Sequence, residues 1–202
     1  MRKAAATHHF ISTLDDIAWL TNLRGADVSY NPVFVAHLLL DARSARLFVA
    51  DGKIENGLKS RLAADGIEVA PYTQAAAALA ALPPAATLLI DPRRITLGMR
   101  QVVASGVEVI EAINPTTMAK SRKTAAEATH VRATMEQDGA ALAEFFAWFE
   151  SALGTELITE LTIDERIIGA RARRPGFVCP SFTTIAAFNA NGAQPHYRAT
   201  EE

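Results

Sequence analysis

A chain of 202 residues, half of them hydrophobic and 21% charged, has the usage of one large globular domain or two smaller ones, not of a disordered segment. Its formal net charge of −2 gives no electrostatic reason to expect nucleic acid as a partner. The longest apolar run, residues 75–90, is broken by Pro83-Pro84 and is too short for a membrane span, and the start MRKAAATHHF lacks the apolar stretch of a signal peptide.

Strand and helix patterns alternate as far as about residue 115. HHFIS (8–12) is a short strand. STLDDIAWLTNL opens a helix that Ser12 or Thr13 can cap, with Asp15 and Asp16 in the first turn, where the helix dipole favours them. NLRGADVSYNP (22–32) is polar and irregular, bent at Gly25 and Pro32. VFVAHLLL (33–40) and RLFVA (46–50) read as strands, and the short join DARSA between them implies an antiparallel hairpin. IENGLKSRLAADG is an amphipathic helix closed by Gly66, followed by the strand IEVA. TQAAAALAAL is a helix stopped by Pro83-Pro84. ATLLID is a buried strand, RRITLGMRQVVASG a helix ended by Gly106, and VEVIEA another strand. The succession predicts an α/β layer: a mixed sheet with flanking helices.

At INPTTMAKSRK (113–123) the character changes, and a domain boundary is expected near 115–123. Asn114-Pro115 signals a turn. From Thr124 a long helical pattern places Val131, Met135, Ala141, Leu142, Phe145, Phe146 and Phe149 at helical spacing, and Gly139 is tolerated inside it at a cost of about 1 kcal/mol. Thr162 and Asp164 open a second helix, IDERIIGARARR, which Pro-Gly ends. SFTTIAAF (181–188) is a strand, and NANGA is a hairpin turn whose return strand, 193–200, can only begin. The basic clusters at 120–123 and 171–174 read as solvated helix ends.

Residue chemistry alone yields no complete catalytic constellation. None of His8, His9, His37, His130 and His196 stands in a recognised metal spacing. In a strand His8 and His9 face opposite ways and cannot easily share a metal. His37 interrupts an apolar strand and reads as a hydrogen-bonded core or edge residue. His130 lies on the long helix in a solvated or interface position. No glycine-rich phosphate loop and no G-x-S-x-G elbow occurs. The single cysteine, Cys179, allows no internal disulfide, fits a reducing cytoplasm, and reads as a small buried hydrophobe.

Three stretches together resemble one family. TLDDIAWLTNLRGADVSYNPVF (13–34) is similar to the second-domain segment of Xaa-Pro aminopeptidases, the aminopeptidase P family. KSRKTAAEATHVRATMEQDGAALAEFFAWFE (120–150) resembles the linker and first helix of their catalytic domain. SFTTIAAFNANGAQPHYRAT (181–200) resembles the strand and turn that carry an active-site histidine there, which His196 in its Pro-His-Tyr context matches. The resemblance runs over nearly the whole chain in the expected order.

That resemblance implies a creatinase/prolidase N-terminal-like α/β domain over residues 1–118, the middle domain of the parent enzyme. Residues 119–202 would be the truncated start of an α+β pita-bread peptidase domain. It implies hydrolysis that removes an N-terminal residue preceding proline, in the cytoplasm, with two divalent metal ions, manganese as a rule, held by two Asp, one His and two Glu. None of those ligands falls in this chain, so no metal is expected on it, and it reads as an internal fragment that is inactive alone. His196 is the catalytic candidate, a hydrogen-bond donor to the substrate carbonyl. Arg24 and Asn31 are candidates for an interdomain or substrate-cleft role, because an arginine in a polar loop can pair with carboxylates there. The partners implied are peptides with proline in second position and a second copy through an exposed helix face, with neither nucleic acid nor membrane. The competing reading is a non-catalytic creatinase-like binding module, and the gene sequence beyond residue 202 would discriminate between the two.

Overall fold

The computed structural model of the chain describes residues 1–201. It forms two compact units, residues 1–28 with 32–122, and residues 29–31 with the chain from 123 onward.

The first unit is built on the strands β1 (His8–Ile11), β2 (Ala36–Leu40), β3 (Ala45–Val49), β4 (Ile67–Pro71), β5 (Thr87–Ile90) and β6 (Glu108–Glu111). They make one sheet in the order β4-β3-β2-β1-β5-β6. β2 runs antiparallel to both its neighbours, and the remaining pairs are parallel, so the sheet is mixed as expected. Parallel neighbours need crossovers. These are supplied by α2 (Asn56–Ala64) between β3 and β4 and by α4 (Leu97–Gln101) between β5 and β6. The helices α1 (Leu14–Thr21), α3 (Ala75–Ala80) and α5 (Pro115–Ser121) complete the unit.

Side chains alternate across the sheet, so adjacent residues build separate cores. Phe10, Phe48, Leu88 and Ile90 pack with Ala75 and Leu79 of α3 on one face. Ile11, Leu38, Leu47 and Val49 pack with Ile17 of α1 and Leu62 of α2 on the other. Each fully buried Leu, Ile or Phe contributes about 1.5–3 kcal/mol. The register that pairs His9 with Leu40 and Phe10 with Leu39 therefore cannot slip by one residue without exchanging both cores.

Local chemistry explains where elements begin and end. The β2–β3 turn closes on Asp41, whose carboxylate accepts the backbone N–H groups of Arg43 (2.6 Å) and Ser44 (2.8 Å). Residues 33–35, expected to be strand, lie outside the sheet. The loop before them takes their polar groups instead: Asp27 N–H donates to the Val33 carbonyl, and the Asp27 carboxylate accepts the Val35 N–H. The helix expected over 93–106 is confined to α4, because Asp91 folds the backbone of Arg93, Arg94 and Ile95 into a turn and Thr96 then caps the helix. At Asn114-Pro115 the expected turn is the start of α5, with proline at the helix N-terminus, where its missing N–H costs nothing.

The second unit holds α6 (Ala125–Ala152) and α7 (Glu160–Ala172). Thr124 and Glu127 form a capping box at the start of α6. α7 begins earlier than Thr162 and Asp164 suggest, because Thr159 is the cap and its Oγ1 accepts the Thr162 N–H. Ala141, Phe145, Ile167 and Ala170 form the core between these helices. Phe145 is thus buried, Phe149 half-buried, and Phe146 of the same apolar face is 53% exposed. The cluster at 171–174 is not a set of solvated helix ends. Arg171 pairs with Asp138 at 2.7 Å, and Arg173 and Arg174 both pair with Glu144.

Residues 181–188 form no strand. A strand's N–H and C=O groups need a neighbour, and among the described residues of this unit no other sheet strand is present. NANGA is a 3₁₀ turn (Asn189–Ala193) in place of the expected hairpin, with Asn189 in the left-handed region. Without a sheet over it, Cys179 is exposed instead of buried.

Candidate functional site

Glu160 is the first residue of α7, where a carboxylate is favoured by the helix dipole. It gathers the chain around the expected histidine. Its Oε1 accepts the Phe188 backbone N–H (2.6 Å) and Asn191 Nδ2 (3.2 Å), and its Oε2 accepts the Tyr197 hydroxyl (2.7 Å). Asn191 Nδ2 also donates to the Tyr197 oxygen at 3.0 Å. The tyrosine hydroxyl and then the Phe188 N–H hold the Glu160 carboxyl below the ordinary carboxylate range, and the same carboxylate pushes the Tyr197 phenol up.

His196 adjoins this anchor, with an exposed side chain and a backbone φ of 57°. The left-handed region costs a residue with a Cβ about 1–2 kcal/mol, so the turn is held by its surroundings. The Tyr197 N–H closes it on the Gln194 carbonyl at 3.3 Å. An imidazole presented this way offers a donor and an acceptor nitrogen to a bound molecule.

Two of the other histidines, His9 and His37, are packed into the first unit. His37, on β2, is stacked between Phe10 and Tyr72, and its Nδ1 bonds Ser12 Oγ at 3.0 Å. His9 is buried, with Nε2 3.0 Å from Asn114 Oδ1. Burial pushes both imidazoles below their ordinary value, against the Asn114 hydrogen bond in the case of His9. His8 bonds Thr7, and His130 is exposed on α6.

Asp16 is wholly buried, not a first-turn charge in water. Its Oδ2 accepts from Thr117 Oγ1 (2.7 Å), Thr116 Oγ1 (3.1 Å) and Asn114 Nδ2 (3.4 Å). Its Oδ1 accepts no hydrogen bond but lies 3.2 Å from Lys120 Nζ. Lys120, expected on a solvated helix end, therefore clasps α5 to α1.

Arg24 falls in the first unit, while Asn31 and His196 fall in the second. Arg24 Nη1 donates to the carbonyls of Ala18 (3.0 Å) and Leu23 (2.9 Å), and its side chain borders a hollow of about 210 Å³ floored by Phe34 and Leu58. Asp27 at the same hollow is held below the ordinary carboxylate range, first by Lys53 and then by the Val35 N–H. Asn31 is exposed. Among the described residues no three His, Cys, Asp or Glu side chains gather so as to hold a metal ion.

Sequence reasoning missed Glu160 and Asn191, whose side chains hold the segment next to the candidate His196. Thr159-Glu160 before an apolar run is a legible helix start, but nothing in spacing links Glu160 to a tyrosine far along the chain.

The fold defines an α/β sheet domain followed by a capped helical segment. Residues 1–127 match the creatinase/prolidase N-terminal domain model, and residues 129–202 match that of metallopeptidase family M24. The chain belongs to the creatinase/prolidase N-terminal domain family, with the M24 match continuing from it. It is 34% identical over 206 residues to Xaa-Pro aminopeptidase 1 of Dictyostelium discoideum, covering 100% of this chain and 32% of that protein. Against the probable Xaa-Pro aminopeptidase P of Coccidioides posadasii (strain RMSCC 757 / Silveira) it is 36% identical over 202 residues, covering 94% and 32%. The chain thus spans about a third of the length of these relatives. The X-prolyl aminopeptidase of Caenorhabditis elegans, a cytosolic enzyme with a di-nuclear active site, superposes with a TM-score of 0.90 at 24% identity, over 100% of this chain and 34% of that one. The Pyrococcus horikoshii prolidase superposes at 0.64 and 16% identity, over 100% of this chain and 54% of that one. Both structures show the shared fold.

Proposed function

We propose that the chain is part of an Xaa-Pro aminopeptidase, a metal-dependent hydrolase that frees an N-terminal residue preceding proline. Residues 1–118 are its creatinase-like domain and residues 119–202 the opening of its pita-bread peptidase domain. The observation that carries this reading is the tandem order of the two family matches across the chain, together with 34–36% identity to Xaa-Pro aminopeptidases.

His196 is the chain's own contribution to the chemistry. As a substrate carbonyl gains negative charge in the transition state, an imidazole N–H aimed at its oxygen binds more strongly than in the ground state. Arg24 and Asn31 serve domain contacts or the substrate cleft. The two divalent ions, manganese in this reading, are held by residues of the parent protein outside this chain. The protein works in the cytoplasm, a reading supported by its likeness to the Caenorhabditis elegans enzyme described as cytosolic. The exposed Phe146 and Leu157 favour self-association of the isolated chain. Sedimentation velocity should show a concentration-dependent dimer that Phe146→Glu weakens, and a strictly monomeric chain would remove that element.

The test is hydrolysis of a quenched-fluorescent Xaa-Pro peptide in excess manganese. The polypeptide translated from the whole reading frame that contains these codons should cleave before proline, and the 202-residue chain alone should not. Turnover by the purified 202-residue chain, or none by the whole polypeptide, would overturn the proposal.

A further inference from the structure

We infer that Glu160 is a positioning residue for His196: its carboxylate fixes the two ends of the 188–197 segment and so sets where the imidazole stands. This rests on the reading of His196 given above. The carboxylate uses one oxygen on the backbone at Phe188 and the other on the Tyr197 side chain, so a single rigid group on a helix end ties together the entry and the exit of the turn. Asn191, midway between them, donates to both Glu160 and Tyr197 and braces the loop from inside. His196 has no such anchor of its own in this cluster. Its backbone is in the left-handed region, a conformation that relaxes if neighbours release it. A helix N-terminus is a stiff platform compared with a loop, and catalytic groups perform only when held within a fraction of an ångström. Tyr197 in this arrangement is a tether, and neither it nor Glu160 is required to touch the substrate.

Glutamine at position 160 keeps the shape but loses the charge and turns one acceptor oxygen into a donor NH₂. With Oε1 kept on the Phe188 N–H, that NH₂ faces a Tyr197 oxygen that already accepts Asn191 Nδ2. The hydroxyl then loses its acceptor, and the remaining bond to Phe188 is no longer charge-assisted. In the 202-residue chain, Glu160→Gln should speed amide hydrogen exchange at Phe188 and Tyr197 about tenfold or more, while amides of α6 and of the β-sheet keep their protection. Tyr197→Phe should do the same at Tyr197 with less effect at Phe188, and Glu160→Asp should restore part of the protection. Unchanged exchange at both amides in a folded Glu160→Gln chain would overturn the inference.

In the whole polypeptide, Glu160→Gln should lower kcat about tenfold or more with KM and metal content unchanged. In a His196→Ala background the same change should lower kcat no further, since Glu160 acts through the histidine. An equal loss in both backgrounds would show Glu160 acting elsewhere and would overturn the inference. If His196→Ala leaves kcat untouched while Glu160→Gln still frees the Phe188 amide, the role of the histidine fails and the anchor stands.

Discussion

Asp16→Ala is the sharpest perturbation of the first unit. It leaves the hydroxyls of Thr116 and Thr117, the Asn114 amide and the Lys120 ammonium facing an apolar gap. Removing one partner of a buried ion pair costs about 3–5 kcal/mol, and each hydrogen bond to a charged group is worth about 1.5–3 kcal/mol. Lys120 is 32% exposed and can swing to water, and the threonine hydroxyls can turn, so the lower part of that range applies. About 3–4 kcal/mol is expected, which at a urea slope of about 2 kcal/mol/M lowers the midpoint by about 1.5–2 M. Trp19 lies on α1 beside the perturbed contact, and a Trp148→Phe background lets its fluorescence report this unit alone. Lys120→Met leaves the wholly buried carboxylate with three hydrogen-bond donors but no counter-charge, and should also lower the midpoint. A midpoint unmoved by Asp16→Ala would refute the reasoning.

Stability of the first unit should fall as pH is lowered below about 6.5, the unfolded imidazole value, because folded His9 and His37 bind protons less readily than the unfolded chain. Urea midpoints between pH 7.5 and 5 should show this slope, and His9→Gln with His37→Gln should flatten it. Gly25→Ala puts a Cβ 2.7 Å from Phe34 Cβ and 3.3 Å from the Val33 carbonyl, so thermal melts should show a loss of about 1–3 kcal/mol. The Glu160–Tyr197 anchor should weaken at both extremes. Its low carboxyl makes Phe188 amide protection drop as pH falls below about 4.5, and its raised phenol makes protection drop above about 10.

The order of elements in the first unit was readable because apolar alternation, the DARSA turn, Gly66 and Pro83-Pro84 act locally. Residues 33–35 misled because their pattern is that of a strand while Asp27, several residues earlier, takes their backbone bonds. Pro115 misled because the same residue that breaks a helix also starts one. In the second unit the period of α6 was plain, but 181–188 has strand composition without a strand beside it, and propensity cannot supply a partner. His196 was singled out as the catalytic candidate by its Pro-His-Tyr context. The group that holds its turn was not, because Glu160 on a helix start looks like any dipole-favoured acid until the fold brings Tyr197 to it. Asp16 hid in the same way, its partners being supplied by α5 from far along the chain.

The central claim is that this chain supplies the histidine of an Xaa-Pro aminopeptidase, and steady-state kinetics of His196→Ala in the whole polypeptide tests it most directly. With metal content and folding verified, kcat on an Xaa-Pro peptide should fall on the order of a hundredfold or more, as for loss of a donor to a developing oxyanion. His37→Ala, which removes a stacked core imidazole, should lower stability and leave the kcat of the folded fraction nearly intact. A His196→Ala enzyme with near-normal kcat and full metal occupancy would contradict the account.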